Sequence, residues 1–146
     1  MFDQPDFPGR LARALHENAR FAAETRWFDG AILLEAEAGR CWLKVYCGRV
    51  LDATAEVPPF GYTFKLAGSD AAWRLLVTQE RRFADLITGG SRHFADAAEV
   101  AAASNSVPAA LRIEGNLLEA SRMHESLYHL ADSVIEAALG AEEGRR

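Results

Sequence analysis

Cysteine is nearly missing from this 146-residue sequence: Cys41 and Cys47 are the only two. Six residues of extended chain at ~3.3 Å each hold them about 20 Å apart, whereas a disulfide needs Cα atoms within about 7 Å. A disulfide is excluded while that strand persists. The spacing gives no zinc site either, and a reduced, cytoplasmic setting is expected. Basic clusters are also lacking. The formal net charge is −5, and Arg81-Arg82 and Arg145-Arg146 are the only adjacent basic pairs. That balance argues against nonspecific binding to nucleic acid or anionic membranes. No apolar run approaches the ~18–20 residues that span a bilayer. The opening, "MFDQPDFPGRLARALHE", has acidic residues and no uninterrupted apolar region. Neither a transmembrane segment nor a secretory signal is expected.

Catalytic signatures are equally scarce. There is no G-x-S-x-G stretch, no P-loop and no G-x-G-x-x-G fingerprint. The string "HESLYH" holds His124, Glu125 and His129. A metalloprotease helix needs its histidines four apart. Five apart on a helix turning ~100° per residue, they point about 140° away from each other. The metal reading fails on geometry, and His124 is expected to lean toward the core. His16 and His93 fall in different elements, with no motif linking either to a nucleophile. Asp52, Glu56, Asp70 and Asp85 are more simply outward or turn residues than acid–base pairs. No cofactor and no metal is expected.

What is present is a globular pattern, 49% hydrophobic and 25% charged, of a length that suits one domain. The core is expected over about 9–139, with a frayed tail at 140–146. Leu11, Leu15, Asn18, Ala19 and Ala22 follow helical spacing, which predicts one helix from about Pro8 to Arg26. Asp29-Gly30 then breaks the pattern. Ile32, Leu34 and Ala36, and later Leu43, Val45 and Cys47, alternate with other residues, and Gly39 and Gly48 mark turns. This predicts three strands in an antiparallel meander. Pro58-Pro59 interrupts it. Tyr62, Phe64 and Leu66 share one face of a fourth strand.

Ser69 is placed to cap a helix carrying Trp73, Leu76 and Val77. A second piece carries Phe83, Leu86 and Ile87 and stops at Gly89-Gly90. The Ala-rich stretch 95–103 is expected to be helical. A fifth strand comes next over about 109–114, then a long helix from Leu117 to about Leu139. The expected class is α+β: a five-stranded, mainly antiparallel sheet covered on one face by helices.

The middle of the chain is rich in aromatics. Phe60, Tyr62, Phe64, Trp73, Phe83 and Phe94 are six of the fourteen. Core packing explains such residues by itself. Short helices over a one-sided sheet also make room for an apolar cavity between the layers.

Two stretches then carry a likeness. "LRIEGNLLEASRM" resembles the sterol carrier protein type-two family of small lipid-binding domains. In that family a strand ends in Gly-Asn or Gly-Asp, and an Ala comes four residues into the next helix. Gly115, Asn116 and Ala120 occupy those positions here. "FDGAILLEAEAGRCWLKVYCGRV" is similar to the family's first hairpin, and the weaker likeness runs from about Leu11 to Leu139. The resemblance implies an apolar tunnel between sheet and helices for fatty acyl chains, sterols or similar lipids, and no catalytic centre. By position, Phe64, Trp73, Leu76, Phe83, Leu86 and Ile87 would line it, completed by Leu117, Leu127 and Val134. The motif residues are structural in that family, so they acquire no ligand role. The Ala-rich segment has no counterpart in the family pattern. The last residues, Gly-Arg-Arg, are not a Ser-Lys-Leu type address, so a peroxisomal destination is not expected.

Three functions are compatible with these features. The first is a carrier of an apolar small molecule or lipid. The second is an accessory or dimerisation module for a partner enzyme, docking through a sheet edge or the face bearing Trp42 and Tyr46; a homodimer is one form of it. The third is a small enzyme acting on an apolar substrate, with His124 or Tyr62 as first residues to test. The Gly-Asn step itself reads as a helix start, with Asn116 as N-cap and Glu119 at the third position of a capping box. Asn116→Ala is expected to cost about 0.5–2 kcal/mol in chemical denaturation. Lipid affinity should fall only as far as the fold loosens, so a large affinity loss at unchanged stability would contradict this reading.

Overall fold

The computed structural model describes residues 1–88 and 110–143. In chain order the elements are α1 (Phe7–His16), α2 (Ala19–Glu24), β1 (Asp29–Glu35), β2 (Arg40–Tyr46), β3 (Arg49–Thr54), β4 (Phe64–Gly68), α3 (Asp70–Val77), α4 (Phe83–Thr88), β5 (Leu111–Gly115), α5 (Leu117–Arg122) and α6 (His124–Glu143). The Ala-rich stretch, Gly89-Gly90, His93 and Phe94 lie outside the described residues.

The meander forms as its alternation predicts. β1 pairs antiparallel with β2, and β2 with β3. Cys47 (φ 47°) and Gly48 (φ 86°) both take positive φ in the β2–β3 turn, which matches the twist of a two-residue hairpin. β4 does not extend the meander. It crosses to the far side of β1 and pairs with it in parallel, Ile32 opposite Phe64 and Leu34 opposite Leu66. β5 then pairs antiparallel with β4. The result is one mixed, mostly antiparallel sheet of order β3-β2-β1-β4-β5.

The expected helix over residues 8–26 is two helices. Asn18 breaks it: its Oδ1 accepts from the Phe21 N–H at 3.0 Å and starts α2. Its Nδ2 donates to the His129 carbonyl and to Ser133 Oγ. A short amide that satisfies both a new helix start and a neighbouring helix outcompetes helical continuity. The long last helix is likewise two pieces, divided at the buried Met123, and it runs on to Glu143.

All the helices that meet the sheet pack on one face, where Ile32, Leu34, Cys41, Leu43, Val45, Phe64 and Leu66 join the main core. The opposite face is not left bare. The β3–β4 connection crosses it, and Val57 packs on Ala31, Leu33 and Trp42. Trp42 Nε1 donates to the Gly61 carbonyl at 2.9 Å. That bond, and the turn at Gly61 (φ 73°), keep Tyr62 out of the fourth strand, which starts at Phe64.

The Gly-Asn junction has the N-cap the sequence predicts, Asn116 Oδ1 accepting from the Glu119 N–H at 3.1 Å. The reciprocal half of a capping box is missing. The Asn116 N–H goes to the Thr63 carbonyl, and the Glu119 carboxylate pairs with Arg122. Gly115 has φ 102°, and a Cβ there would stand 2.9 Å from the Thr63 carbonyl oxygen and 3.0 Å from Phe64 Cα. Gly115→Ala should therefore lose at least the ~1–2 kcal/mol of a left-handed non-glycine residue. Urea unfolding checks this, and an unchanged midpoint would refute it.

Candidate functional site

Seven of the nine expected lining residues come together in one buried cluster. They are Phe64 in β4, Trp73 and Leu76 in α3, Phe83 and Leu86 in α4, and Leu127 and Val134 in α6. Ile87 packs against the same cluster, partly buried. Leu117 stands apart on α5, 60% exposed. The aromatic-rich middle of the chain is split by the sheet. Phe64, Trp73 and Phe83 are on the helical side, while Phe60, 75% exposed, rests edge-on against Trp42 on the other.

Leu76 and Phe83 reach the surface in a groove of about 460 Å³ between the α3–α4 turn and α6. Its floor also includes Tyr128, Ala131 and Ile135, and Arg81 and Arg82 stand among its lining. The Phe83 and Tyr128 rings meet edge-on at 5.4 Å. Among the described residues, no buried side-chain nitrogen or oxygen lacks a hydrogen-bond partner. Trp73 Nε1, for instance, is bound to the Glu35 carbonyl at 2.9 Å. The groove is mixed in character: Gln79, Arg81, Arg82 and Asp132 line it beside the apolar side chains.

The candidates for chemistry are dispersed. His124 does not lean into the core: it is exposed at the start of α6, with its ring against Tyr128 at 5.2 Å. Met123 takes the buried position instead. Tyr62 sits beside the Lys65 ammonium in the loop on the other side of the sheet, so the structure does not bring it to His124. His16 Nε2 meets the Val50 carbonyl at 3.0 Å. Among the described residues, no three His, Cys, Asp or Glu side chains converge as a metal site. Both cysteines are free, and burial pushes the Cys41 thiol up to about 12, so it acts as a small apolar filler.

Of the two residues expected to mark a docking face of the sheet, Tyr46 is exposed and Trp42 is not. Trp42 is only 2% exposed, because the β3–β4 connection covers it. Sequence reading also passes over Phe2, a core residue 5% exposed whose ring packs edge-on against Phe7 and Trp73. A spacing of five between two phenylalanines fits neither strand nor helix period, so no local signal marks it.

Beyond that loop, the outer face carries an ion-pair network. Lys65 bridges Glu35 at 3.2 Å and Glu114 at 3.3 Å, and Arg112 also reaches Glu114. The bond to Glu35, then that to Glu114, raises the Lys65 pKa. Arg112 first and Lys65 second hold the Glu114 carboxyl below its ordinary value. Its stabilising effect is present above the ordinary carboxylate range and is lost as pH falls through the lowered value. Solvent screening keeps that effect small. In Lys65→Met the Glu114 midpoint should rise yet stay below the ordinary value, because Arg112 remains. Carboxyl-carbon NMR titration reads this directly, and an unmoved midpoint would refute it.

No helix among the described residues is long and apolar enough to cross a membrane. No family model matches the sequence, and no curated protein matches it. Solved structures do. A crystal structure of sterol carrier protein 2 aligns over 92% of this chain and 97% of its own, at 12% identity and a TM-score of 0.65. The solution structure of a conserved hypothetical protein of Thermus thermophilus, itself suggested to be a sterol carrier protein, covers 92% of this chain and 87% of its own, at 13% identity and a TM-score of 0.62. At such identity the likeness is one of architecture, and it is extensive: the chain has the α+β fold of sterol carrier protein 2.

Proposed function

We propose that this chain is a non-catalytic carrier of an apolar ligand, a fatty acyl chain, a sterol or a similar lipid, held between the sheet and its helices. The observation that carries the reading is the coincidence of two things. The fold is that of sterol carrier protein 2. In the same place, Leu76 and Phe83 link a surface groove to the buried cluster of Phe64, Trp73, Leu86, Leu127 and Val134.

The chemistry supports it. Apolar surface brought out of water contributes about 25 cal/mol per Å², so a long alkyl chain needs no polar anchor to bind. The groove provides an apolar floor for that chain. Arg81 and Arg82, two cations set against the one carboxylate of Asp132 in the same lining, suit a ligand whose one polar end is a carboxylate. The ligand enters between α4 and α6, whose contact rests on side chains such as Phe83 and Tyr128. Parting two packed side chains costs less than breaking a sheet ladder. The chain then binds and releases the ligand without altering it.

Mass spectrometry of organic extracts of gently purified protein should find a co-purified lipid, and a fluorescent fatty acid should bind and be displaced by unlabelled lipid. Leu76→Glu, which places a charge in the groove floor, should weaken that binding by about tenfold or more. Circular dichroism on the same sample checks the fold. Repeated absence of lipid, together with no binding of the fluorescent fatty acid, would overturn the carrier reading.

A further inference from the structure

We infer that Phe2 is a displaceable plug: its ring occupies an apolar subsite beside Trp73 that the tail of a bound acyl chain takes in its place. The inference rests on the carrier reading and adds to it a second opening, on the far side of α3 from the α4–α6 groove.

Phe2 is the one buried side chain among the first six residues. Its ring centroid is 5.0 Å from Trp73 and 5.2 Å from Phe7, edge-on to both. Trp73 is a fixed wall, since its Nε1 is held by the Glu35 carbonyl. Phe7 is equally fixed, buried in the first turn of α1. The segment that carries Phe2 is held differently. It precedes the first helix and belongs to no strand. Its backbone bonds include those from the Gln4 N–H to Met1, from the Phe7 N–H to Gln4 and from the Arg10 N–H to Asp6. Its side chains are gathered by Arg10, which reaches Asp6, Gln4 and, across to α6, the Ala137 carbonyl. Gly39 lets the β1–β2 turn close over it, as a Cβ there would be 2.8 Å from the Phe2 carbonyl oxygen. Phe2 and, partly buried, Met1 seat the segment on the core, and a segment that joins no strand ladder opens at lower free energy than the core elements, which stay folded.

A groove of about 460 Å³ already lies beside the plug, lined by Phe2, Ala36, Trp73 and Val77 among others. Withdrawing the ring joins that groove to the apolar space against Trp73. The space left is flat and flanked by two aromatic rings, which suits an unbranched alkyl tail. An occupied plug lowers apparent affinity by the fraction of time the subsite is open. A subsite open about one-tenth of the time makes ligand affinity about tenfold weaker than in a chain without the ring.

The test uses the full chain with 4-fluorophenylalanine at position 2 and dodecanoate as the probe. Fluorine NMR should show the residue-2 signal moving from a buried to a solvent-exposed shift in step with dodecanoate binding. In Phe2→Ala, dodecanoate should bind about tenfold more tightly. A residue-2 signal that stays at its buried shift when dodecanoate is saturating overturns the plug and leaves the carrier reading standing. Dodecanoate binding to neither protein overturns both. If Phe2→Ala does not fold, the fluorine titration of the labelled wild-type chain decides alone.

Discussion

The fold turns on Thr63. Its N–H donates to the Ala31 carbonyl at 2.8 Å, and its Oγ1 accepts from the Ala31 N–H at 3.1 Å, so one residue completes both backbone bonds of β1 at that point. Its carbonyl accepts from the Asn116 N–H at 2.9 Å, at the end of β5. Three chain segments distant in sequence are thus joined at one residue before β4 begins. Two glycines make room for the joint: a Cβ on Gly30 would be 2.5 Å from Thr63 Oγ1, and one on Gly115 would be 2.9 Å from the Thr63 carbonyl. Without this joint, the parallel pairing of β4 with β1 would lack its first contact, and α5 and α6 would lose their exit angle.

The insertion of β4 divides the apolar residues between the two faces of the sheet. Once β4 lies beside β1, the chain between β3 and β4 has to cross the sheet, and it does so on the face away from the helices. Trp42 becomes a covered residue tied to Gly61, and Phe60 becomes the exposed lid over it. The helical side keeps Phe64, Trp73 and Phe83. The carrier reading depends on that side alone. There the buried groups are apolar or already hydrogen-bonded, and polar side chains line the groove beside apolar ones.

The helical layer is closed from two directions. Asn18 bonds through its side-chain amide to α2 and to α6 at once, and Arg10 ties the opening residues to the far end of α6 through the Ala137 carbonyl. Both join the start of the chain to its last helix. On the other side, where the groove lies, α4 meets α6 through rings, Phe83 edge-on against Tyr128. The layer is thus joined by side-chain hydrogen bonds at Asn18 and Arg10 and by aromatic packing between α4 and α6.

Much of the architecture was legible in the residues. Period-two alternation placed the meander, because a strand shows its faces in adjacent residues. Ser69, Gly115 and Asn116 marked element ends, because caps and left-handed turns depend on the residue and its near neighbours. The buried character of Phe64, Trp73, Leu76, Phe83, Leu86, Leu127 and Val134 was also readable from local pattern. Other features required the tertiary structure: the break at Asn18, the parallel partner of β1, the covering of Trp42, the outward turn of His124 and the burial of Phe2. Most of these depend on a group far away in sequence, Ser133 for Asn18, Ala31 for Thr63, Gly61 for Trp42 and Trp73 for Phe2. Periodicity reports which side of an element is apolar, but the partner that meets that side is chosen by three-dimensional packing and by where buried polar groups find their hydrogen bonds.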